Sequence, residues 1–355
     1  MLEELKKISD EITKIIKEDS FCYNIEPFFL KDAVLSYPMC AGKRLRPALL
    51  LWACGLLGGD IQKAKYAAAA VEIYHNWTLV HDDIIDNDDV RRGNPSTHMG
   101  LKNYALKNYS ISDEAATKYG VDFAILAGDL QHAWANYFLL KSVSLGVSSE
   151  VVISICSDMA FYASTGLVSG EALDIDFSYR NIDDITYDEI ERMIFLKTGV
   201  LLNFAISTGA KIALSSCSRD DERINRLMIF STALGSAFQL KDDWLGIYGD
   251  VVKFGKPIGS DIISAKPTLL IKEALSRSTN EQNAIIKSYL GKADLDENDL
   301  KVIRKIITET GAEQSIKDKI SRYKLKAESI MEGFPDSVYK ENFLALNNYL
   351  ECREV

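Results

Sequence analysis

No Pro-, Gly- or Ser-rich or low-complexity linker divides the 355 residues, and no fixed-period repeat runs through them, so residues 1–355 read as one large domain. A surplus of positive charge is also missing. The 41 Lys and Arg against 51 Asp and Glu leave a formal charge of −10, which excludes nucleic acid or an anionic membrane surface as a general partner. Cys22, Cys40, Cys54, Cys156, Cys217 and Cys352 contain no CxxC and no metal-ligand spacing. Several fall in apolar helical runs, so they read as buried free thiols in a reducing compartment. Uninterrupted apolar runs of about 18 residues are absent, so no membrane-spanning helix is expected. The opening stretch places Leu2, Leu5, Ile8, Ile12, Ile15 and Ile16 at helical spacing between charges, a surface helix and not a signal peptide. A soluble, cytoplasmic protein is expected.

What is present is helical period. Ala- and Leu-rich segments recur at roughly 2–18, 26–36, 44–58, 62–86, 119–142, 149–173, 187–213, 219–247, 264–276, 281–291, 298–308, 312–332 and 338–351. Strand-like alternation is scarce. The chain is therefore expected to be all-α, with too many helices for a simple four-helix bundle. The polar stretch 99–117 reads as a surface excursion.

The chain is organised around LVHDDIIDNDDVRRG, residues 79–93, where carboxylates end an apolar helix and two arginines follow. If 66–86 is one helix, Asp82 and Asp86 stand at i and i+4 and project from one face. Carboxylates so close repel one another, and their oxygens are the hard ligands that Mg2+ takes. His75 falls on nearly the same face. Arg91 and Arg92 could simply balance the acids. The alternative is that metal and guanidinium groups together grip a diphosphate, since Arg suits bidentate phosphate contacts.

Other motifs carry similar chemistry. Lys43 and Arg46 lie three apart in GKRLRP at a helix start, which favours an anion, although a solvated basic cap is the bland reading. Gly170-Glu171 to Asp174 puts acids on a helix that ends near Ser178. Lys197-Thr198-Gly199 interrupts an apolar helix with a cation, a hydroxyl and a flexible residue. Such a lysine usually snorkels to water; a functional role needs a nearby anion and a bend that Gly199 would ease. In QLKDDWLG, Gln239 and Asp242 are three apart and share a face, while Lys241 turns away. Lys256 and Lys266 follow in a Gly- and Pro-containing loop that could wrap a phosphate. The segments from Leu275 on carry no chemistry.

GKRLRP, LVHDDIIDNDDVRRGNPSTH, ILAGDL, LKTG, FQLKDDWLG and GKPIGSDIISAKPT, in this order, resemble the trans-polyprenyl diphosphate synthase family from about residue 40 to 275. The resemblance implies an isoprenoid synthase fold, a helical bundle around a central apolar cavity with the aspartate motifs facing each other across its mouth. Asp82, Asp86 and Asp242 would hold about three Mg2+ ions on an allylic diphosphate, supported by Asp83 and Asp243. Arg91, Lys197, Thr198, Gln239, Lys256 and Lys266 would grip that diphosphate, and Lys43, Arg46, His75 and Arg92 isopentenyl diphosphate. Fixed cations then stabilise the leaving group's growing charge. A homodimer is also implied. Two departures stand out: Gly246 replaces a third aspartate, and Glu171 stands where glutamine is common.

In the family, bulky residues four or five positions before the first aspartate set product length; here these are Trp77 and Thr78, with Tyr74 nearby. A helical wheel turns Trp77 away from the aspartate face and favours Thr78, but an aromatic at the fifth position resembles archaeal-type synthases that make geranylgeranyl diphosphate. A C20 product is expected, built from dimethylallyl, geranyl and farnesyl diphosphates; farnesyl or a longer diphosphate is the alternative. A class I terpene cyclase would need an asparagine-serine-glutamate triad where QLKDDWLG stands. A catalytically silent subunit of a heteromeric synthase would have lost aspartates.

Overall fold

The computed structural model describes residues 1–40, 42–218, 220–249 and 259–352, and among them the chain is all-α. Its contacts divide it into two compact units, Met1–Asp158 with Ala205–Ile224 and Met159–Phe204 with Asn225–Val355.

The first unit contains α1 (Leu2–Glu18), α2 (Phe28–Ser36), α3 (Leu45–Leu56), α4 (Lys65–Ile85), α5 (Thr97–Asn108), α6 (Asp113–Lys141) and α7 (Ser149–Asp158). Its axis is α4, whose Ala67 to Ala70 are all buried, so the neighbouring helices can approach its backbone closely. α6 begins where Ser112 accepts the Ala115 N–H at 3.2 Å and Asp113 and Glu114 face the helix dipole. Between α4 and α5 the chain makes a short hairpin of β1 (Val90–Arg91) and β2 (Asn94–Pro95). Its turn puts both Arg92 (φ 53°) and Gly93 (φ 77°) in the left-handed region that a tight hairpin requires.

The second unit contains α8 (Thr165–Tyr179), α9 (Tyr187–Ile194), and α10 (Val200–Leu214), which starts in it and ends in the first. Next come α11 (Glu222–Tyr248), α12 (Ser260–Ile263), α13 (Leu269–Arg277), α14 (Asn280–Tyr289), α15 (Glu297–Glu309), α16 (Ala312–Glu332) and α17 (Val338–Cys352). Thr186 and Glu189 close a capping box at the start of α9. Leu240, Ile247, Leu270, Ile271, Ile303 and Ile307 belong to one buried cluster. Each such side chain contributes roughly 1.5–3 kcal/mol when fully buried.

Three expectations are corrected, and a fourth, that no clear membrane span is present, stands with its basis amended. The polar stretch 99–117 is a surface excursion only in part: residues 106–115 are all exposed, but Thr97, Leu101 and Ala105, four apart, bury one narrow stripe of α5, and α6 already starts at Asp113. The segments expected at 149–173 and 187–213 are each broken by a π-helical turn, Met159–Ser164 and Phe195–Gly199. Two continuous stretches, Ser149–Tyr179 and Tyr187–Leu214, are long and apolar enough to cross a membrane; 83% of the second one's apolar window is buried inside the protein, as in a core helix, and 44% of the first's. Charged and small residues break the apolar run in the sequence, yet the window average stays apolar. Finally, Cys22 and Cys54 are buried, with burial pushing both thiols up to about 12, whereas Cys40 and Cys156 are half-buried and Cys217 is exposed. The side chain of Cys352 lies outside the described residues.

Candidate functional site

α4 ends on the first acidic motif. The helix stops at Ile85, and Asp86 caps it by donating its N–H to the Asp82 carbonyl at 2.8 Å, so the two carboxylates leave the helix one turn apart as the spacing requires. Both are half-buried, while Asp83 is fully buried. Asp83 accepts from the Tyr37 hydroxyl and from both the Nε (3.1 Å) and a terminal nitrogen of Arg91. Tyr37 in turn accepts the Thr97 N–H at 3.1 Å. The hairpin returns Arg91 beside the motif, where it also lies 3.6 Å from Asp82 and 3.4 Å from Asp88. Arg91 therefore balances the acid cluster in this structure.

The basic motif meets the middle of α4. Arg44, at φ 47°, is buried and pairs with buried Glu72, donating also to the carbonyls of Pro38 (2.5 Å) and Cys40 (3.0 Å). Arg46 lies 3.0 Å from the Nε2 of His75. Burial, then the guanidinium groups of Arg46, Arg92, Arg91 and Arg44, hold the His75 pKa well below its ordinary value. The ring is neutral at pH 7 and its Nε2 accepts from Arg46. Burial lowers Arg46 itself to about 10, against the pull of Glu72. Arg92 lies over Gly42, its guanidinium 3.0 Å from where a Cβ would stand. Lys43 is exposed at the entrance to α3.

Below the aspartates, Tyr74 is fully buried, and the ring of Trp77 meets those of Tyr74 at 4.9 Å, His132 at 4.7 Å and His81 at 6.0 Å. Thr78 bonds back to the His75 carbonyl at 2.7 Å, so it sits beside the imidazole.

The second unit gathers the other motif. The π-turn re-aims Lys197, whose Nζ lies 2.6 Å from Asp174 and 2.9 Å from Glu171. Both conditions for a functional lysine, an anion and a distorted helix, are met. Gly170 lets α8 approach: a Cβ there would stand 2.4 Å from the Lys197 backbone nitrogen. Lys266 reaches the same Asp174 oxygen at 3.2 Å. Burial would raise Asp174, but the two ammonium groups hold it below the ordinary carboxylate value. Thr198 donates to Gln239 at 3.0 Å, and Gln239 donates to Asp243 at 2.9 Å. On its own helix Gln239 thus reaches the residue one full turn on. Lys241 lies over the Trp244 ring, 4.4 Å from its centre.

Asp243 is buried; burial first, then Asp261, Asp242 and Asp174, push its pKa well above the ordinary value, against the Gln239 hydrogen bond. Asp261 arrives because the Gly259 N–H bonds the Gly246 carbonyl at 2.8 Å, bringing a carboxylate oxygen to 3.2 Å from where a Gly246 Cβ would stand. Lys256 lies outside the described residues.

Among the described residues no group of three or more ligating side chains is preassembled. Acid nevertheless crowds each motif, and paired carboxylates that leave coordination positions to water and phosphate oxygens suit Mg2+. The donor set fits.

Residues 29–307 match the sequence profile described as polyprenyl synthetase. The chain belongs to the polyprenyl synthetase family. Within this family it is 37% identical over 279 residues to the geranylgeranyl diphosphate synthase of Saccharolobus solfataricus, covering 78% of this chain and 76% of that one. It is 31% identical over 349 residues to the geranylgeranyl pyrophosphate synthase of Geoglobus acetivorans, covering 98% and 97%. The solved geranylgeranyl pyrophosphate synthase of Corynebacterium glutamicum, complexed with isoprenyl diphosphate and magnesium, superposes with a TM-score of 0.86 at 27% identity over 99% of each chain.

In this polyprenyl synthetase the sequence pointed to the motif residues but missed their holders. Arg44 sits inside GKRLRP, yet nothing in the sequence joins it to Glu72. Tyr37 and His132 carry no motif signal at all, and Asp261 lies inside GKPIGSDIISAKPT without being singled out there. Asp174 was visible only as an acid on a helix.

Proposed function

We propose that this chain is a short-chain trans-prenyl diphosphate synthase that joins isopentenyl diphosphate head-to-tail to allylic diphosphates, with geranylgeranyl diphosphate as its main product. The prenyltransferase reading rests on the family and on relatives named for that product. The family match runs through both units, and we read the chain as a single synthase domain. The observation that carries the reading is that each acidic motif is accompanied by fixed cations: Arg91 beside Asp82 and Asp83, and Lys197 and Lys266 on Asp174, which is close enough for its charge to act on Asp243.

Asp82, Asp86 and Asp242 are assigned to hold Mg2+, about three ions in all. Bound Mg2+ would supply Lewis-acid charge to the departing diphosphate. Asp83 fixes Arg91 and the end of α4. Arg91, Lys197, Thr198, Gln239, Lys256 and Lys266 are assigned to the allylic diphosphate, and Lys43, Arg46, His75 and Arg92 to isopentenyl diphosphate. Ammonium and guanidinium groups already held in place need little reorganisation as charge develops. No side chain is assigned as base, and the final proton is assigned to the released diphosphate.

Trp77, with Tyr74 and Thr78 around it, is assigned as the stop for the growing chain. Five residues of helix above it to Asp82 give about 7.5 Å of depth. We further assign a cytoplasmic homodimer, supported in the first unit by exposed Leu126, Leu140, Val143 and Ile153.

Purified protein, Mg2+, labelled isopentenyl diphosphate and each allylic primer test the reading. A C20 product that disappears with a chelator supports it. No elongation from any primer refutes it in favour of a silent subunit, and a cyclised hydrocarbon in favour of a terpene cyclase.

A further inference from the structure

We propose that Glu72 is a positioning residue for the isopentenyl diphosphate subsite, acting through Arg44. The proposal rests on the assignment of Arg46, Arg92 and His75 to that substrate.

Glu72 lies on the buried face of α4, only 2% exposed, one turn before Asn76, whose amide donates to its carbonyl at 2.8 Å. It is surrounded by positive charge. Arg44 pairs with it directly, and it is the carboxylate that opposes burial in both Arg46 and Arg92. Three guanidinium groups so close would repel one another. One buried carboxylate offsets part of that repulsion while remaining behind the subsite, where it does not compete for a ligand.

Arg44 supplies the mechanical half. Its guanidinium spans from Glu72 to the carbonyls of Pro38 and Cys40, so it ties the segment before α3 to α4. That segment delivers Lys43 and Arg46. Arg46 arrives against a neutral imidazole, and its Nε is buried with no hydrogen-bond partner among the described residues. A buried donor in that condition is costly until an acceptor comes. The anion that completes the group is a diphosphate, whose oxygens suit guanidinium donors. Glu72 thus keeps the donors assembled and their charge unspent.

Glu72→Gln keeps the shape and removes the charge. Steady-state kinetics with each substrate varied separately should show the KM for isopentenyl diphosphate raised about tenfold or more, the size expected when charge-assisted contacts are lost. The KM for the allylic diphosphate and kcat should stay within about threefold. Equal losses for both substrates, or no change, overturn the proposal. Arg46→Gln runs beside it. If that variant leaves the isopentenyl diphosphate KM unchanged, the subsite assignment itself fails; if it raises KM while Glu72→Gln does not, only the role of Glu72 fails.

A single buried charge left over in Glu72→Gln could prevent folding. The double variant Arg44→Gln with Glu72→Gln removes both charges and keeps hydrogen-bonding capacity. It should melt near the parent temperature and still show the selective rise in KM. A folded double variant with the parent KM overturns the proposal, and so does failure of both variants to fold, which would make Glu72 a folding residue.

Discussion

The Nζ of Lys197 lies 2.6 Å from Oδ2 of Asp174, and that single carboxylate oxygen also receives Lys266 at 3.2 Å. Two ammonium groups from distant parts of the chain are therefore fixed in place by a side chain on α8. Asp174→Asn keeps a weak acceptor but releases the ionic hold. The loss of a charge-assisted hydrogen bond, roughly 1.5–3 kcal/mol, should lower kcat/KM for the allylic diphosphate about 10- to 100-fold. Kinetics with each substrate varied show whether the loss falls on that substrate; an unchanged value would remove Lys197 and Lys266 from the site.

Asp174 and Asp243 should respond to pH with opposite sign. Asp174 has a depressed folded-state pKa, so its contribution to stability is present above the ordinary carboxyl value near 3.9 and is lost as pH falls through the depressed one. Asp243 has a raised pKa, so its contribution is present below about 3.9 and is lost as pH rises through the elevated value. Melting curves in chelator should show Asp243→Asn more stable than the parent at neutral pH. Added Mg2+ should raise the melting temperature of the parent more than that of Asp242→Asn, since a ligand at 100 times its Kd stabilises by about 2.7 kcal/mol.

Gly170 permits a contact that no side chain could share. A Cβ at 2.4 Å from the Lys197 nitrogen meets backbone, which cannot rotate away. Gly170→Ala should cost about 1–3 kcal/mol in overpacking and displace the π-turn that aims Lys197. Both a lower melting temperature and a higher KM for the allylic diphosphate are expected; a fall in stability alone would separate the packing from the site.

His132 braces Trp77, with ring centres 4.7 Å apart in an edge-on arrangement. If Trp77 is the stop, then Trp77→Ala should lengthen the product, and His132→Ala should also do so by letting the indole swing. Tyr74→Ala should do the same through the 4.9 Å contact. Chromatography of labelled products reads chain length directly. Unchanged C20 from both Trp77→Ala and Tyr74→Ala would refute this stop.

Leu140 is 57% exposed and Ile153 66%. Changing both to Lys should convert a dimer into a monomer by light scattering, while the secondary structure by circular dichroism stays intact. A parent protein that is monomeric at every concentration tested would rule out the assembly.

Periodicity alone located nearly every helix, because an amphipathic stripe must face a core wherever that core lies. The i, i+4 relation of Asp82 and Asp86 is equally local, since helix geometry sets it. The π-turn at Phe195–Gly199 was legible only as a break, because the extra residue per turn comes from packing of α8 against it and not from propensity. Stretch 99–117 looked like an excursion throughout because its buried stripe is narrow and its other faces are polar. What tertiary structure alone decided is which charge meets which. Arg44 found Glu72, Arg91 found Asp83 and Lys197 found Asp174 across separations of 28, 8 and 23 residues. Electrostatic pairing depends on distance in space, and only the packed helices set that distance.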